Sequence, residues 1–248
     1  MGILESYDKS SRPIITPSHF LKPGKLGKKC IVTFSHSVYE AVLKEYRTEK
    51  ITESGTANGK IDVLRLIDYD VLFYMSPIGS AVAATILQEI QYLTGVKTFV
   101  FFGSCGVLDK QYSDKVIIPT AAYREEGLSY HYAAPSDFID IQGFDQVREF
   151  FDENKVEYVL GKTWTTDAIY METERKAQKR REDGCVCVEM EAAGLQAVCN
   201  YLGVDLYIFF FAGDILGKKW ESGNLGGFRE KNKQLSSFEL ALKLTVSV

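Results

Sequence analysis

The sequence predicts an α/β fold in a single domain spanning residues 1–248, with a mostly parallel sheet held between layers of helices. Three observations carry this. Apolar, β-rich runs alternate with segments of helical spacing, which is the pattern of a sheet covered by helices. Two of those runs, Thr98 to Phe102 (TFVFF) and Leu206 to Ala212 (LYIFFFA), are apolar without interruption, as expected of central strands covered on both faces. The length of 248 residues suits one large α/β unit, and no linker, low-complexity tract or solenoid-period repeat divides it.

In chain order, Cys30 to Phe34 (CIVTF) reads as a strand, followed by a helix from Ser37 to Tyr46. Ile61 to Ile67 and Val71 to Met75 read as strands joined in a hairpin through Asp68-Tyr69-Asp70. From Gly79 to Leu93 the apolar residues Val82, Ile86, Ile90 and Leu93 recur at helical spacing. TFVFF follows, then a short strand at Val116 to Ile118 and helices at Phe144 to Asn154 and Thr173 to Glu182. Cys185 to Val188 is a strand running into a helix from Met190 to Leu202, and LYIFFFA is the next strand. Phe228 to Leu244 closes the chain as an amphipathic helix.

Composition excludes several classes. With 29 Lys+Arg against 33 Asp+Glu, the net charge of −4 shows no commitment to nucleic acid or to an anionic membrane. No run approaches the roughly 18 apolar residues of a membrane span. The N-terminal stretch MGILESYDKSSRP is polar and lacks the apolar core of a secretory signal, so a cytoplasmic location is expected. Cys30, Cys105, Cys185, Cys187 and Cys199 sit mostly in apolar runs and read as buried, reduced thiols. Three histidines, and no second Cys or His pair beside Cys185-Val186-Cys187, leave no expected metal site.

Ligands of α/β sheets gather at the carboxyl ends of strands. That rule selects Ser35-His36-Ser37, Ser76-Pro77-Ile78-Gly79, Gly103-Ser104-Cys105-Gly106 and Gly213-Asp214. The glycines flanking Ser104 would let the backbone turn tightly and expose N–H groups to an anion or a hydroxyl-rich ligand; an ordinary turn after a strand reads the same way. Glu189 and Glu191 lie where a strand gives way to a helix, so the helix N-terminus would favour their ionised forms, and an ionised Glu there can hold two neighbouring hydroxyls; two first-turn carboxylates of a helix are the alternative. Ala192, Ala193 and Gly194 permit close packing. Asp214 ends an apolar strand, surroundings that raise a carboxyl's pKa and would let it donate a proton to a leaving base; a turn or capping Asp is the alternative. The segments Thr165 to Tyr170 (TTDAIY) and Tyr123 to Tyr132 combine polar and aromatic residues that could wall a flat, hydroxylated ligand or serve as hydrogen-bonded loops.

GSCG after an apolar strand, then TTDAIY, VEMEAAG and an Asp closing the next strand resemble, in order and spacing, the nucleoside phosphorylase superfamily of purine nucleoside phosphorylases, uridine phosphorylases and nucleosidases. The resemblance runs from about Cys30 to Leu216, and its most specific part is VEMEAAG. It implies a three-layer α/β/α sandwich around a central mixed sheet, and cleavage of the bond between ribose C1′ and a base nitrogen. Phosphate as co-substrate, or water, would be the acceptor, and no cofactor is implied. It assigns Glu191 to the ribose hydroxyls, Met190 to the sugar face, Glu189 to support, Ser104 (with Gly103) to phosphate, and Asp214 to protonation of a purine. Thr166 falls in the matching TTDAIY segment, Gly79 is taken as substrate-binding from its place at a strand exit, Ile169 stands where an aromatic stacks on the base, and Arg175 resembles the Arg that uridine phosphorylases direct at uracil, although its accompanying Gln is Thr173. A homodimer or homohexamer is implied; His19 and His131 are candidates for a ribose 5′-hydroxyl, with a surface or structural histidine as the alternative for each.

The departures concern the acceptor. The three arginines expected on phosphate are replaced by Tyr39, by Phe101 and by no Arg near Asn58-Gly59. Each lost charge-assisted contact would cost about 1.5–3 kcal/mol of phosphate binding. Ser35, His36 and Glu40 form the candidate acceptor site, with Glu40 near the position of the water-activating Glu of nucleosidases. Phosphorolysis, hydrolysis and nucleoside binding without catalysis therefore all stay open; Asp214 points to a purine, Arg175 to a pyrimidine, and purine is preferred because base protonation is the catalytic role.

Overall fold

A computed structural model describes residues 2–56, 59–217, 219–223 and 231–248. The chain enters through β1 (Lys29–Thr33) and α1 (His36–Glu45), whose first turn is capped by Ser35 Oγ accepting from the Val38 N–H. The strands β2 (Thr48–Thr56), β3 (Gly59–Leu66) and β4 (Val71–Met75) form an antiparallel meander, and β4 leads into α2 (Ser80–Thr94). Then come β5 (Thr98–Val107), β6 (Val116–Glu125), the single-turn α3 (Ser129–Tyr132), β7 (Phe138–Asp140) and α4 (Phe144–Glu153). The second half holds β8 (Tyr158–Thr166), α5 (Glu174–Glu182), β9 (Cys185–Glu189), α6 (Ala192–Leu202), β10 (Asp205–Leu216), β11 (Trp220–Glu221) and α7 (Lys231–Ser247). The expected start of the last helix, at Phe228, lies outside the described residues.

The sheet is mixed and runs β11-β10-β6-β8-β9-β5-β1-β4-β3-β2, with β7 on β6. Its parallel parts are β4-β1-β5-β10 and β6-β8-β9. Antiparallel contacts of β10 with β6 and of β5 with β9 join them, so β5, β10, β6, β8 and β9 close a ring. The β5–β9 pairing matches Gly106 with Val188 and Val107 with Cys187, which brings the carboxyl ends of both strands to one spot.

The uninterrupted apolar runs follow from the layers. Strand side chains alternate between faces. Phe99 and Phe101 pack with Ile86, Leu87 and Ile90 of α2 and with Leu195 and Val198 of α6. Val100 and Phe102 pack on the opposite face with Val38 and Val42 of α1, Phe151 of α4 and Phe238 of α7. On that face Phe209 stacks on Phe102 at 5.9 Å and meets the edge of Phe151 at 5.4 Å. Each such fully buried ring contributes about 1.5–3 kcal/mol.

The strands reach further than their apolar runs. Gly103-Ser104-Cys105-Gly106 is not the tight turn the glycines suggest: it continues β5, pairing Gly103, Ser104 and Cys105 with Phe210, Phe211 and Ala212. The ladder hydrogen bonds available on β10 keep these residues extended. The glycines instead admit close neighbours. A Cβ on Gly103 would come within 3.1 Å of the Phe34 ring, and one on Gly106 within 2.6 Å of Leu216 and 3.1 Å of Asp214. β10 likewise runs through Gly213-Asp214, with a register shift between Ala212 and Ile215.

Candidate active site

Glu189 and Glu191 take different roles because the chain turns between them. Glu189 is the last residue of β9 and is buried. Its Oε1 accepts from the hydroxyls of Thr163 (3.2 Å) and Thr165 (2.6 Å), and its Oε2 from the N–H groups of Glu191 and Ala192, both at 2.7 Å. Thr165 Oγ in turn accepts from the Ala193 N–H. Burial pushes the Glu189 carboxyl above the usual range, and these four donors oppose it. It therefore closes the first turn of α6 and secures β8 to β9.

Glu191 stands at the start of α6, buried, and its carboxyl receives N–H groups from Gly79 (Oε1, 2.7 Å) and Met190 (Oε2, 3.3 Å). Burial, then the nearby charge of Glu189, push its pKa up to about 8, against the pull of the two N–H donors. The ionised form expected from the helix N-terminus is thus outweighed by desolvation. Gly79 holds φ at 103°, which L side chains rarely adopt, and so aims its N–H at Glu191. The small residues of α6 do pack closely: a Cβ on Gly194 would lie 2.8 Å from Ser80, whose N–H and hydroxyl both donate to Met190 O.

Asp214 sits at the irregularity in β10, and bulges commonly re-aim a side chain beside a site. Its Oδ2 accepts from the Trp220 indole N–H at 2.7 Å. Glu191 and Asp214 line one cavity of about 210 Å³, with Ser104 and Gly106 of β5, Glu189 and Met190. Phe34, Ile78, Ile169 and Leu216 supply its apolar wall. Sequence reasoning missed one member, Glu172, which lines the cavity from the turn before α5. Burial, then the charges of Asp214 and Glu125, push its pKa up to about 7 against Lys176. Nothing in the motif pattern marked it, because its neighbour Asp214 is distant in sequence.

The other expected residues lie elsewhere. Thr166 is buried and accepts from the Ala168 N–H, Gly103 lies under Phe34, and Gly79 acts through Glu191. None of the three is on the cavity wall. Arg175 is exposed on α5 and does not line the cavity. Ser35 caps α1, while His36 and Glu40 face each other at 3.9 Å on its exposed side, with side chains 75% and 45% accessible, away from the cavity lining. His131 lines a separate cleft of about 830 Å³ near the N-terminal segment, and His19 bonds to Thr16.

The cavity is acidic. Four carboxyl groups line it, and among the described residues no Lys, Arg or His does. Two positions expected to carry arginine belong to the aromatic core: Tyr39 stacks on Phe73 at 5.6 Å, and Phe101 is fully buried against Phe34. Asn58, beside the third, lies outside the described residues. Arg124 is spent on Ser129, Ser136 and the Ala133 and Ala134 carbonyls, and Arg181 on those of Leu108 and Leu216. Among the described residues no group of three or more His, Cys, Asp or Glu side chains is arranged to hold a metal ion, and no helix is long and apolar enough to cross a membrane.

Comparison with known proteins agrees with this architecture. Guanosine phosphorylase of Halorubrum lacusprofundi is 28% identical over 140 residues, 54% of this chain and 57% of that protein, so the chain matches little more than half of that relative's length. The 5′-methylthioadenosine/S-adenosyl homocysteine nucleosidase of Campylobacter jejuni superposes with a TM-score of 0.72 at 20% identity, covering 90% of this chain and all of that one. AMP nucleosidase of Bacteroides thetaiotaomicron superposes at 0.67 with 18% identity and 87% of both chains covered. These two likenesses establish the shared fold. The sequence profile of the Phosphorylase superfamily matches residues 28–240, from the approach to β1 into α7, and so takes in every strand and loop that builds the cavity. On that match the chain belongs to the phosphorylase superfamily.

Proposed function

We propose that the protein cleaves the N-glycosidic bond of a purine ribonucleoside with water as acceptor. One observation carries the reading: Glu191 and Asp214 line the same small cavity, so one nucleoside can present its sugar to the first and its base to the second. The volume, about 210 Å³, suits a small ligand rather than a dinucleotide.

Glu191, fixed by the Gly79 and Met190 N–H groups, holds the ribose hydroxyls while Met190 packs on the sugar. Ile169 and Phe34 offer the base an apolar wall. The transition state has oxocarbenium character, with positive charge on the ribose and negative charge on the base. The carboxyl oxygens around the sugar turn partial negative charge toward it. As the C1′–N bond breaks, its electron pair goes to the base, a proton passes from Asp214 to a base nitrogen, and the oxygen of water bonds to C1′ and releases a proton.

Water is favoured over phosphate by the lining. An anion of one to two charges would enter among four carboxyl groups with no cation from the described residues beside it, which is unfavourable at any interior dielectric. The fold neighbours named as nucleosidases support this, and the purine substrates in the names of all three relatives support the choice of base. Arg175, the residue that pointed to a pyrimidine, stands off the cavity.

The test is incubation with inosine, guanosine, adenosine, 5′-methylthioadenosine and uridine, with and without phosphate, following free base. Release of a purine base at equal rate without phosphate is expected. Release that requires phosphate overturns the assignment of water, and no release from a wider nucleoside panel overturns cleavage in favour of a binding role.

A further inference from the structure

We propose that Glu172 is the proton-holding partner of Asp214: the two carboxyl groups act as a pair in which Glu172 stores the proton that Asp214 delivers to the departing base. The inference deepens the reading above and rests on it.

The geometry is that of two acids lining one cavity that no Lys, Arg or His of the described residues lines. Glu172 and Asp214 line the same cavity, from the turn before α5 and from the irregularity in β10. Three charged groups face Glu172 from the elements around it: Asp214 from β10, Glu125 from β6 and Lys176 from α5. Lys176, the one cation, is bonded to Glu125. Among the described residues the Glu172 carboxyl has no hydrogen-bond or ion-pair partner. Asp214 is different, since the Trp220 N–H donates to its Oδ2. Asp214 thus has a donor on its carboxyl, whereas Glu172 has none and only Lys176, already bonded to Glu125, opposes the charges around it. Two like charges in one site do not both form cheaply, and the carboxyl without a donor is the one that holds a proton. Partial burial and the charges of Asp214 and Glu125 push Glu172 up to about 7, which leaves it protonated in mildly acidic to neutral solution.

The step balances without a further reactant. As the C1′–N electron pair goes to the base, the Glu172 proton passes to Asp214 and Asp214 passes one on to a base nitrogen, which leaves both carboxyl groups ionised for the moment. Water adds to C1′ and releases one proton, through solvent, back to Glu172. The site accounts for why an acid that is also held by an indole N–H can act as a donor: its proton is kept next door.

The pair is tested by pH–rate profiles with the purine nucleoside that the panel above selects, together with carboxyl ¹³C titration of the Glu-labelled protein. In the native protein kcat should fall above about pH 7, and a Glu resonance should titrate near 7 and be absent from Glu172→Gln. Glu172→Gln should lower kcat at pH 6 by about tenfold to a hundredfold, the lower range of general-acid effects, with little change in KM, and should abolish the limb near pH 7. In Asp214→Asn the Glu172 resonance should move toward the ordinary Glu range, because one of the charges that raises it has gone. Glu172→Gln with native kcat and an unchanged limb, or a Glu172 resonance that titrates in the ordinary range in the native protein, overturns the pair while leaving cleavage intact. Full activity in Asp214→Asn overturns the underlying reading instead.

Discussion

The Gly79 backbone N–H donates to Glu191 Oε1 across 2.7 Å, tying the exit of β4 to the first turn of α6. The contact joins residues more than a hundred positions apart and fixes the orientation of the carboxyl assigned to the sugar. It depends on Gly79 at φ 103°, while a Cβ there would meet nothing within 4 Å. Gly79→Ala therefore tests backbone strain without steric clash. We predict a loss of about 1–2 kcal/mol, the cost of a left-handed conformation for an L residue, read from the urea midpoint. KM should rise because Glu191 loses its anchor. An unchanged midpoint and KM would show that the N–H does not position it.

Glu189 should prove structural. With four donors converging on it, Glu189→Gln replaces an acceptor by an amide that faces the Glu191 and Ala192 N–H groups with a donor or abandons the threonines. We predict destabilisation of about 1–3 kcal/mol in chemical denaturation, the cost of a buried unsatisfied group. A variant as stable as the native protein would contradict the assigned network.

Stability should fall as pH rises from about 4.5 to about 8. The folded pKa of Glu191, about 8, lies above the ordinary value of 4.5. In that window the unfolded chain has released its proton and the folded chain has not, so the contribution is full below 4.5 and gone above 8. Denaturation midpoints across pH 4.5–9 measure it, and Glu191→Gln should make the fall shallower, leaving the part that Glu172, raised to about 7, contributes. A midpoint that climbs over this range in the native protein, with the variant unchanged from it, would refute the burial of Glu191 in protonated form.

The exposed pair His36 and Glu40 should be dispensable. Both lie off the cavity lining on the open side of α1. We predict that His36→Ala and Glu40→Gln each keep base release close to the native rate. A large fall in kcat in Glu40→Gln would return Glu40 to the role of water activator.

Much of the frame was legible in the residues. TFVFF and LYIFFFA had to be central because an uninterrupted apolar run cannot face water on either side, and Phe99 and Phe101 do face one core while Val100 and Phe102 face the other. The strands β2, β7, β8 and β11 were not legible. TEKITESGT in β2 is polar, and its pairing with β3 supplies the regularity that its composition lacks. GSCG misled for the converse reason: glycine permits a turn, but a neighbouring strand with free ladder positions decided for extension.

The sequence by itself determined the class of fold, a sheet between helix layers, and singled out Glu191 and Asp214, since periodicity and motif spacing are local properties; that Asp214 lies inside β10 rather than at its end was decided by the pairing with β5. Only the tertiary structure decided that β5 and β9 meet at their carboxyl ends, that both acids line one cavity, and that Glu172 joins them while Arg175, His36 and Glu40 do not. The reason is that burial, charge and the supply of hydrogen-bond donors act between residues distant along the chain. Two glutamates of the same chemistry, Glu189 and Glu191, separate into a satisfied structural carboxylate and a site carboxyl with its pKa near 8 only through what the fold sets around each.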